Sequence, residues 1–289
     1  MLRPAPPPQP TSARSPQADV NTLYNQGFEI ADHTITHRRP QTWWNHATYD
    51  DYASEVAGQK HILNRFGGVP TTEIRGFRAP FLAIGGDKYY RAINDSVRVN
   101  GDVGYDSSEI QLPSASFQPM WMHTLDHNPV TGIPAEYTCK NTPPTSCPNI
   151  SSAWAGLWEF PVVDFKTQAG GACAQPDQRG CEWFNMSPDE VAAEFMYNFK
   201  SHSTGNKSPF GVYMHATFFD ANVHGNGTTL LDGFDLFLSQ IMALENVYVV
   251  TVDQALQWMK QPTELKDLKT FEPFKCDVDG CGSDFKTKG

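Results

Sequence analysis

From residue 28 onward, short apolar runs alternate with longer segments of helical periodicity. Residues 28–31 (FEIA) follow Gly27 and end just before His33, which reads as a short buried strand. Residues 50–66 place Tyr52, Val56, Leu63 and Phe66 on one helical face, and Gly67-Gly68 supplies the stop. Residues 76–81 predict a second strand, halted by Pro80, and 103–105 a third. Strand character resumes at 157–163 (LWEFPVV). Ser187-Pro188-Asp189-Glu190 is a capping box with proline at the first helical position, opening a helix with Val191, Phe195 and Phe199 on one face. A strand at 210–215, a helix at 230–244 and a strand at 246–250 follow, and residues 251–254 cap a last helix running through Met259.

Strands alternating with helices imply βα units and a mainly parallel sheet or barrel. Ligands in such folds sit beyond the carboxyl ends of the strands. His33, Arg78, Asp106 and His215 each fall at such an end. Between Glu109 and about Ser152 the regular signals vanish and Pro, Asn and Cys dominate. That stretch reads as a ligand-facing insertion held by a disulfide. The organisation expected is a Pro-rich, disordered lead-in over 1–17, one domain over 18–262, and a Cys-containing tail over 263–289 packed on that domain.

Composition narrows the function classes. The 289 residues suffice for one sizeable core, and 39% apolar with 12% aromatic residues describes a folded, ring-rich chain. A net charge of -10 argues against a nucleic-acid partner. No apolar run is long enough to span a bilayer. The N-terminal segment MLRPAPPPQPTSARSPQ has no apolar h-region, so it does not read as a signal peptide. The six cysteines nevertheless fall into local pairs in loop-like surroundings: Cys139 with Cys147, Cys173 with Cys181, and Cys276 with Cys281. None has the CxxC spacing of a zinc or redox site, and an even count in loops favours disulfides and an oxidising compartment. Sequons at Asn94, Asn149, Asn185, Asn206 and Asn226 point the same way, to a secreted glycoprotein.

Several residues have the chemistry of a site. His33 and His37 lie four apart, so on a helical turn both imidazoles face one cation. The spacing alone is weak, and two ordinary polar loop residues would look the same. His215, in PFGVYMHATFF, reads equally as a core histidine or as a general acid tuned by its surroundings. Arg78, in RGFRAPFL, is suited to hold a carboxylate or to form a surface ion pair. Asp106, in YDSS, is either a helix cap or a charged partner for a histidine. No GxSxG, GxxxxGK[ST] or GxGxxG occurs, so the common serine-hydrolase and nucleotide-binding readings lack support.

In combination these segments resemble the NodB-type polysaccharide deacetylases, carbohydrate esterase family 4. EIADHTITH resembles that family's H-[S/T]-x-x-H metal motif, RAPFL its R-x-P-[F/Y] motif, and VYMHATFF its late histidine motif. FLAIGGD, YDSS, MWMHTLD, LWEFPV and the segment from VTVDQALQWMK to FEPFKC are similar to the chitin deacetylases of arthropods and fungi. The resemblance runs in order from about Val20 to Cys276.

The resemblance implies a distorted (β/α) barrel of the polysaccharide deacetylase type, with the site at the strand ends. It implies metal-assisted hydrolysis of N-acetyl groups from chitin or a related N-acetylglucosamine polymer. His33 and His37 would hold Zn²⁺ or another divalent ion such as Co²⁺, which polarises the acetamide and activates water. His215 would protonate the leaving amine, Asp106 would orient His215, the backbone N–H of Phe81 would face the oxyanion, and Arg78 would hold the catalytic carboxylate. The family's T-F-D-D motif, which supplies that carboxylate and a third ligand, has no counterpart before His33, and Asp50-Asp51 does not match it. The barrel is therefore expected to lack its first strand, as a truncated chain would, and this chain is expected to release little acetate. The alternative reading is an inactive deacetylase-like protein that binds chitin through aromatic loops. In either case the expected protein is a secreted monomer.

Overall fold

The computed structural model describes residues 16–97, 104–111, 118–126, 151–173, 176, 181, 183, 185–220 and 227–275. In chain order its helices are α1 (Pro16–Asn25), α2 (Thr42–His46), α3 (Tyr49–Gly67), α4 (Asp87–Val97), α5 (Pro188–Ser203), α6 (Gly227–Met242) and α7 (Val252–Lys260). The strands are short: β1 (Gly76–Phe77), β2 (Gly104–Asp106), β3 (Ile110–Gln111), β4 (His123–Thr124), β5 (Leu157–Glu159), β6 (Val162–Val163), β7 (Phe165–Lys166) and β8 (Ala172–Cys173).

The main sheet has the order β1-β2-β5-β4, with β1, β2 and β5 parallel and β4 antiparallel at one edge. Parallel pairing places the first residues beyond each strand, Arg78, Ser107 and Phe160, side by side at the carboxyl ends. Gly76 permits the close pairing of β1 and β2, because a Cβ there would stand 2.2 Å from the Tyr105 ring. The mixed α/β class expected from the alternating pattern is thus present.

Local capping explains the helices that hold this sheet. Thr48 and Asp51 form a reciprocal capping box at the start of α3, and Gly68, at φ +71°, closes its other end in the left-handed conformation. Ser187 with Glu190 and Thr251 with Gln254 form the same box on α5 and α7. One core packs Tyr52 and Val56 of α3 and Tyr89, Tyr90 and Ile93 of α4 on Phe77 and Leu157. A second, largely aromatic core packs Trp183, Phe195, Phe199 and Phe237 around the Cys173–Cys181 disulfide. That disulfide matches one of the local pairs expected; Cys139, Cys147, Cys276 and Cys281 lie outside the described residues. No helix among the described residues is long and apolar enough to cross a membrane.

Three expected strands differ. Among the described residues, 28–31 form no ladder and the segment reaches the sheet through a parallel bridge at Asp32–Phe77, and Phe28 is 58% exposed. Residues 210–215 and 247–250 form no strand, and Asn246 turns at φ +61°. They are positioned by side chains instead: Phe210, Val212, Met214 and Val247 pack against the aromatic core. Conversely, β3 and β4 lie in the stretch expected to be irregular, where two-residue pairings such as Ile110–Val162 and His123–Glu159 leave no periodic signal. Of the sequons, Asn206 is already engaged: its amide donates to the Pro119 carbonyl at 2.6 Å and its oxygen accepts from the Ser208 N–H at 3.1 Å. Asn149 and Asn226 lie outside the described residues.

Candidate active site

The end of the 28–32 segment is tied to β1 by two backbone hydrogen bonds. Asp32 N–H donates to the Gly76 carbonyl at 2.8 Å, and Arg78 N–H donates to the Asp32 carbonyl at 3.1 Å. His33 therefore leaves the sheet edge directly beside Arg78. The His33 ring turns toward it, with Nδ1 2.8 Å from the Arg78 carbonyl oxygen. A carbonyl only accepts, so Nδ1 carries the proton and the Nε2 lone pair of the neutral ring is left for another partner. Desolvation by the surrounding protein, followed by the neighbouring positive groups, holds His33 below the usual histidine range. The ring is neutral at physiological pH.

His37 stacks edge-on between the two motifs. Its ring centroid is 5.0 Å from His33 and 4.4 Å from Phe81. The pair does not sit on a helical turn, as the four-residue spacing suggested. It flanks an irregular loop in which Thr34 (φ +69°) and His37 (φ +45°) adopt the left-handed conformation. Phe81 (φ +59°) and Leu82 (φ +54°) do the same on the opposite wall. Positive φ in bulky residues is uncommon, and its concentration around one cleft marks a place where the backbone is held against its own preference.

Arg78 projects across the strand ends. Its Nε donates to the Ser107 carbonyl at 2.8 Å and its Nη2 to Ser107 Oγ at 2.7 Å. Ser107 Oγ in turn donates to the Phe160 carbonyl at 2.7 Å. The guanidinium stacks on Tyr213, 3.8 Å from the ring centre. Extended backbone from Tyr213 carries His215 to the cleft rim, where it is solvent-exposed and precedes the 3-10 turn Ala216–Phe219. Exposure at the rim removes the core-histidine alternative. The resulting cleft, about 540 Å³, is lined by His33, His37, Arg78, Phe81, Tyr213 and His215, with Arg39, Ala79, Leu82, Val212 and Met214.

Asp106 is placed differently. It is fully buried in β2, one residue behind Ser107 and outside the cleft lining. Its carboxylate accepts from Tyr89 Oη at 2.8 Å, from Ser108 Oγ at 2.6 Å and from the Ser107 N–H at 2.9 Å. Its register partner on β5 is Glu159, also fully buried. Glu159 Oε1 accepts the backbone N–H groups of Ser108 and Glu109, both at 3.0 Å. Burial pushes the Asp106 carboxyl up to about 7, and burial together with the Asp106 charge pushes Glu159 well above the usual range. The two carboxyls form a proton-holding layer beneath the cleft floor.

Five of the six residues singled out from sequence thus share one cleft, and the sixth supports its floor from below. Sequence reading missed Tyr213, Ser107 and Glu159. Tyr213 stands at the period-two offset from His215, and Ser107 and Glu159 lie within YDSS and LWEFPV, but only contact with Arg78 or Asp106 reveals their roles. Among the described residues no group of three or more His, Cys, Asp or Glu side chains converges as a metal site.

Fold and cleft together define an α/β protein with a histidine-bearing site at the carboxyl ends of its parallel strands. No protein-family model matches the chain. It is 30% identical over 274 residues to chitin deacetylase 8 of Bombyx mori, covering 91% of this chain and 65% of that protein. To chitin deacetylase 1 of the same organism it is 28% identical over 270 residues, covering 90% of this chain and 46% of that protein. The chain is similar to these two chitin deacetylases and spans between about half and two thirds of their length.

Proposed function

We propose that the cleft is a metal-assisted N-deacetylase site for chitin or a related N-acetylglucosamine polymer. The observation that carries this reading is the meeting of His33, His37, Arg78, Phe81 and His215, from segments spread over more than half of the chain, in one cleft. The kinship with chitin deacetylases supplies the substrate class. A distorted barrel of that family's type is part of this reading, supported by the three parallel strands β1, β2 and β5 and the helices packed on them.

The pair of histidines fits a divalent ion on chemical grounds. His33 is neutral, its tautomer is set by the Arg78 carbonyl, and it lines the same cleft as His37. A bound Zn²⁺ or Co²⁺ would polarise the amide carbonyl and lower the pKa of water. The protein's own groups would do the rest. Phe81, held at positive φ, offers its backbone N–H to the oxygen of the reacting carbonyl. His215 at the rim gives a proton to the departing amine, because an amine leaves from carbon only when protonated. Arg78, fixed by Ser107 and Tyr213, keeps the cleft floor rigid and positive.

None of the described residues that line the cleft is a carboxylate. Without a base, water activation falls by roughly 10²–10⁴-fold, so this chain is expected to release little acetate. The same observation favours a second reading, a deacetylase-like protein that retains chitin binding without turnover. The Cys173–Cys181 disulfide supports a secreted setting for either, and a monomer is proposed. Acetate release from chitin oligomers, measured with added Zn²⁺ or Co²⁺ beside oligomer binding, tests both. Binding that is lost in His33→Ala and His215→Ala supports the cleft; oligomer binding indifferent to both variants and no turnover would sink it.

A further inference from the structure

All three backbone N–H groups between His33 and His37 end on carboxylates. Thr34 N–H donates to Asp32 Oδ1 at 2.8 Å, while the N–H groups of Ile35 and Thr36 both donate to Glu55 Oε2 at 2.9 Å. Thr36 Oγ1 adds a third bond to Glu55, 2.7 Å to Oε1. Glu55 stands on α3, a helix anchored in the core by Tyr52 and Val56 on either side of it in sequence. One turn along the same face, Gly58 leaves room for Ile35, whose Cδ1 would be 2.6 Å from any Cβ placed there. The loop is therefore pressed onto one face of α3 and tied to it by a single side chain.

We infer that Glu55 is the positioning residue of the histidine pair. Left-handed φ at Thr34 and His37 is unfavourable for residues with a Cβ, so the loop keeps this shape only where outside contacts impose it. Glu55 supplies three such contacts across 19 or 20 residues of sequence. Without them the turn relaxes toward ordinary backbone geometry and the two imidazoles no longer face one point. The inference rests on the reading of His33 and His37 as a metal-holding pair. Glu55 acts through the loop and touches neither metal nor substrate.

Charge and geometry are separable here. A glutamine at 55 can accept both backbone N–H groups with its oxygen and donate its amide to Thr36 Oγ1, which as a hydroxyl can also accept. Glu55→Gln thus keeps the tie and removes the charge, Glu55→Ala removes both, and Thr36→Val removes the hydroxyl bond alone.

The test is Co²⁺ titration of the full chain, read by visible absorption bands and by competition with a chelator, with His33→Ala as reference. Metal-free thermal unfolding monitors the fold. Expected are a loss of Co²⁺ affinity of about 10-fold or more in Glu55→Ala, near-parental affinity in Glu55→Gln, and an intermediate loss in Thr36→Val. Equal affinity in the parent, Glu55→Ala and Thr36→Val, with His33→Ala impaired, overturns the role of Glu55 and leaves the metal pair standing. A Glu55→Gln loss as large as that of Glu55→Ala also overturns it, since charge rather than positioning would then be at work. If the parent binds no better than His33→Ala, the metal reading fails and Glu55 falls with it.

Discussion

Nδ1 of His33 lies 2.8 Å from the backbone carbonyl oxygen of Arg78, joining two motifs 45 residues apart. The bond sets the ring's tautomer and ties the histidine loop to β1, so the orientation of His33 depends on main chain that no side-chain substitution at 78 removes. In the neutral ring the Nδ1–H tautomer is expected to dominate, as ¹⁵N shifts of labelled histidine will show. Predominance of the Nε2–H tautomer in the metal-free protein would contradict the geometry.

Arg78 is tied twice to Ser107 and stacked on Tyr213. Lysine is a point charge on a flexible stem and reproduces neither the fork nor the stacking. Arg78→Lys is therefore expected to lower stability by about 1–2 kcal/mol, read as a shift of the urea midpoint with an unchanged slope. A variant as stable as the parent would mean that the fork and stack contribute nothing measurable.

Asp106 carries the clearest pH signature. Its carboxyl is raised to about 7, above its unfolded value, so its contribution to stability is complete below about pH 4 and disappears as pH rises through about 7. Asparagine cannot ionise, yet can still accept from the Ser107 N–H and Ser108 hydroxyl and donate to the Tyr89 oxygen. Asp106→Asn is expected to gain roughly 1–3 kcal/mol relative to the parent between pH 5 and pH 8. Denaturant titrations at the two pH values measure this, and a difference that does not change with pH would refute the assignment.

The Cys173–Cys181 disulfide closes a short loop on the aromatic core, where both sulfurs are buried beside Trp183. Loop-closure entropy for a separation of 8 residues corresponds to about 2.5 kcal/mol. Replacing both cysteines by alanine should lower the thermal midpoint accordingly, and reduction of the parent should mimic the double variant. Insensitivity to both treatments would show that the core alone holds this segment.

The sequence by itself determined most of the helices, because capping boxes at Thr251 and Ser187 and the Gly67-Gly68 stop are local chemistry acting within a few residues. It also brought out four residues of the cleft, since His33, His37, Arg78 and His215 stand where apolar runs end, and strand ends collect in one place in a parallel sheet. Strands were less legible: residues 210–215 and 246–250 have strand-like patterns, but pairing is decided by a neighbour distant in sequence. Only the tertiary structure showed that Asp106 lies beneath the cleft rather than in it, because the register Asp106–Glu159 and the Tyr89 hydroxyl arrive from other elements. Only the tertiary structure, too, set Glu55 against the loop between the histidines: a carboxylate on a helix face reads as solvated polarity until the backbone donors it meets are brought within 2.9 Å.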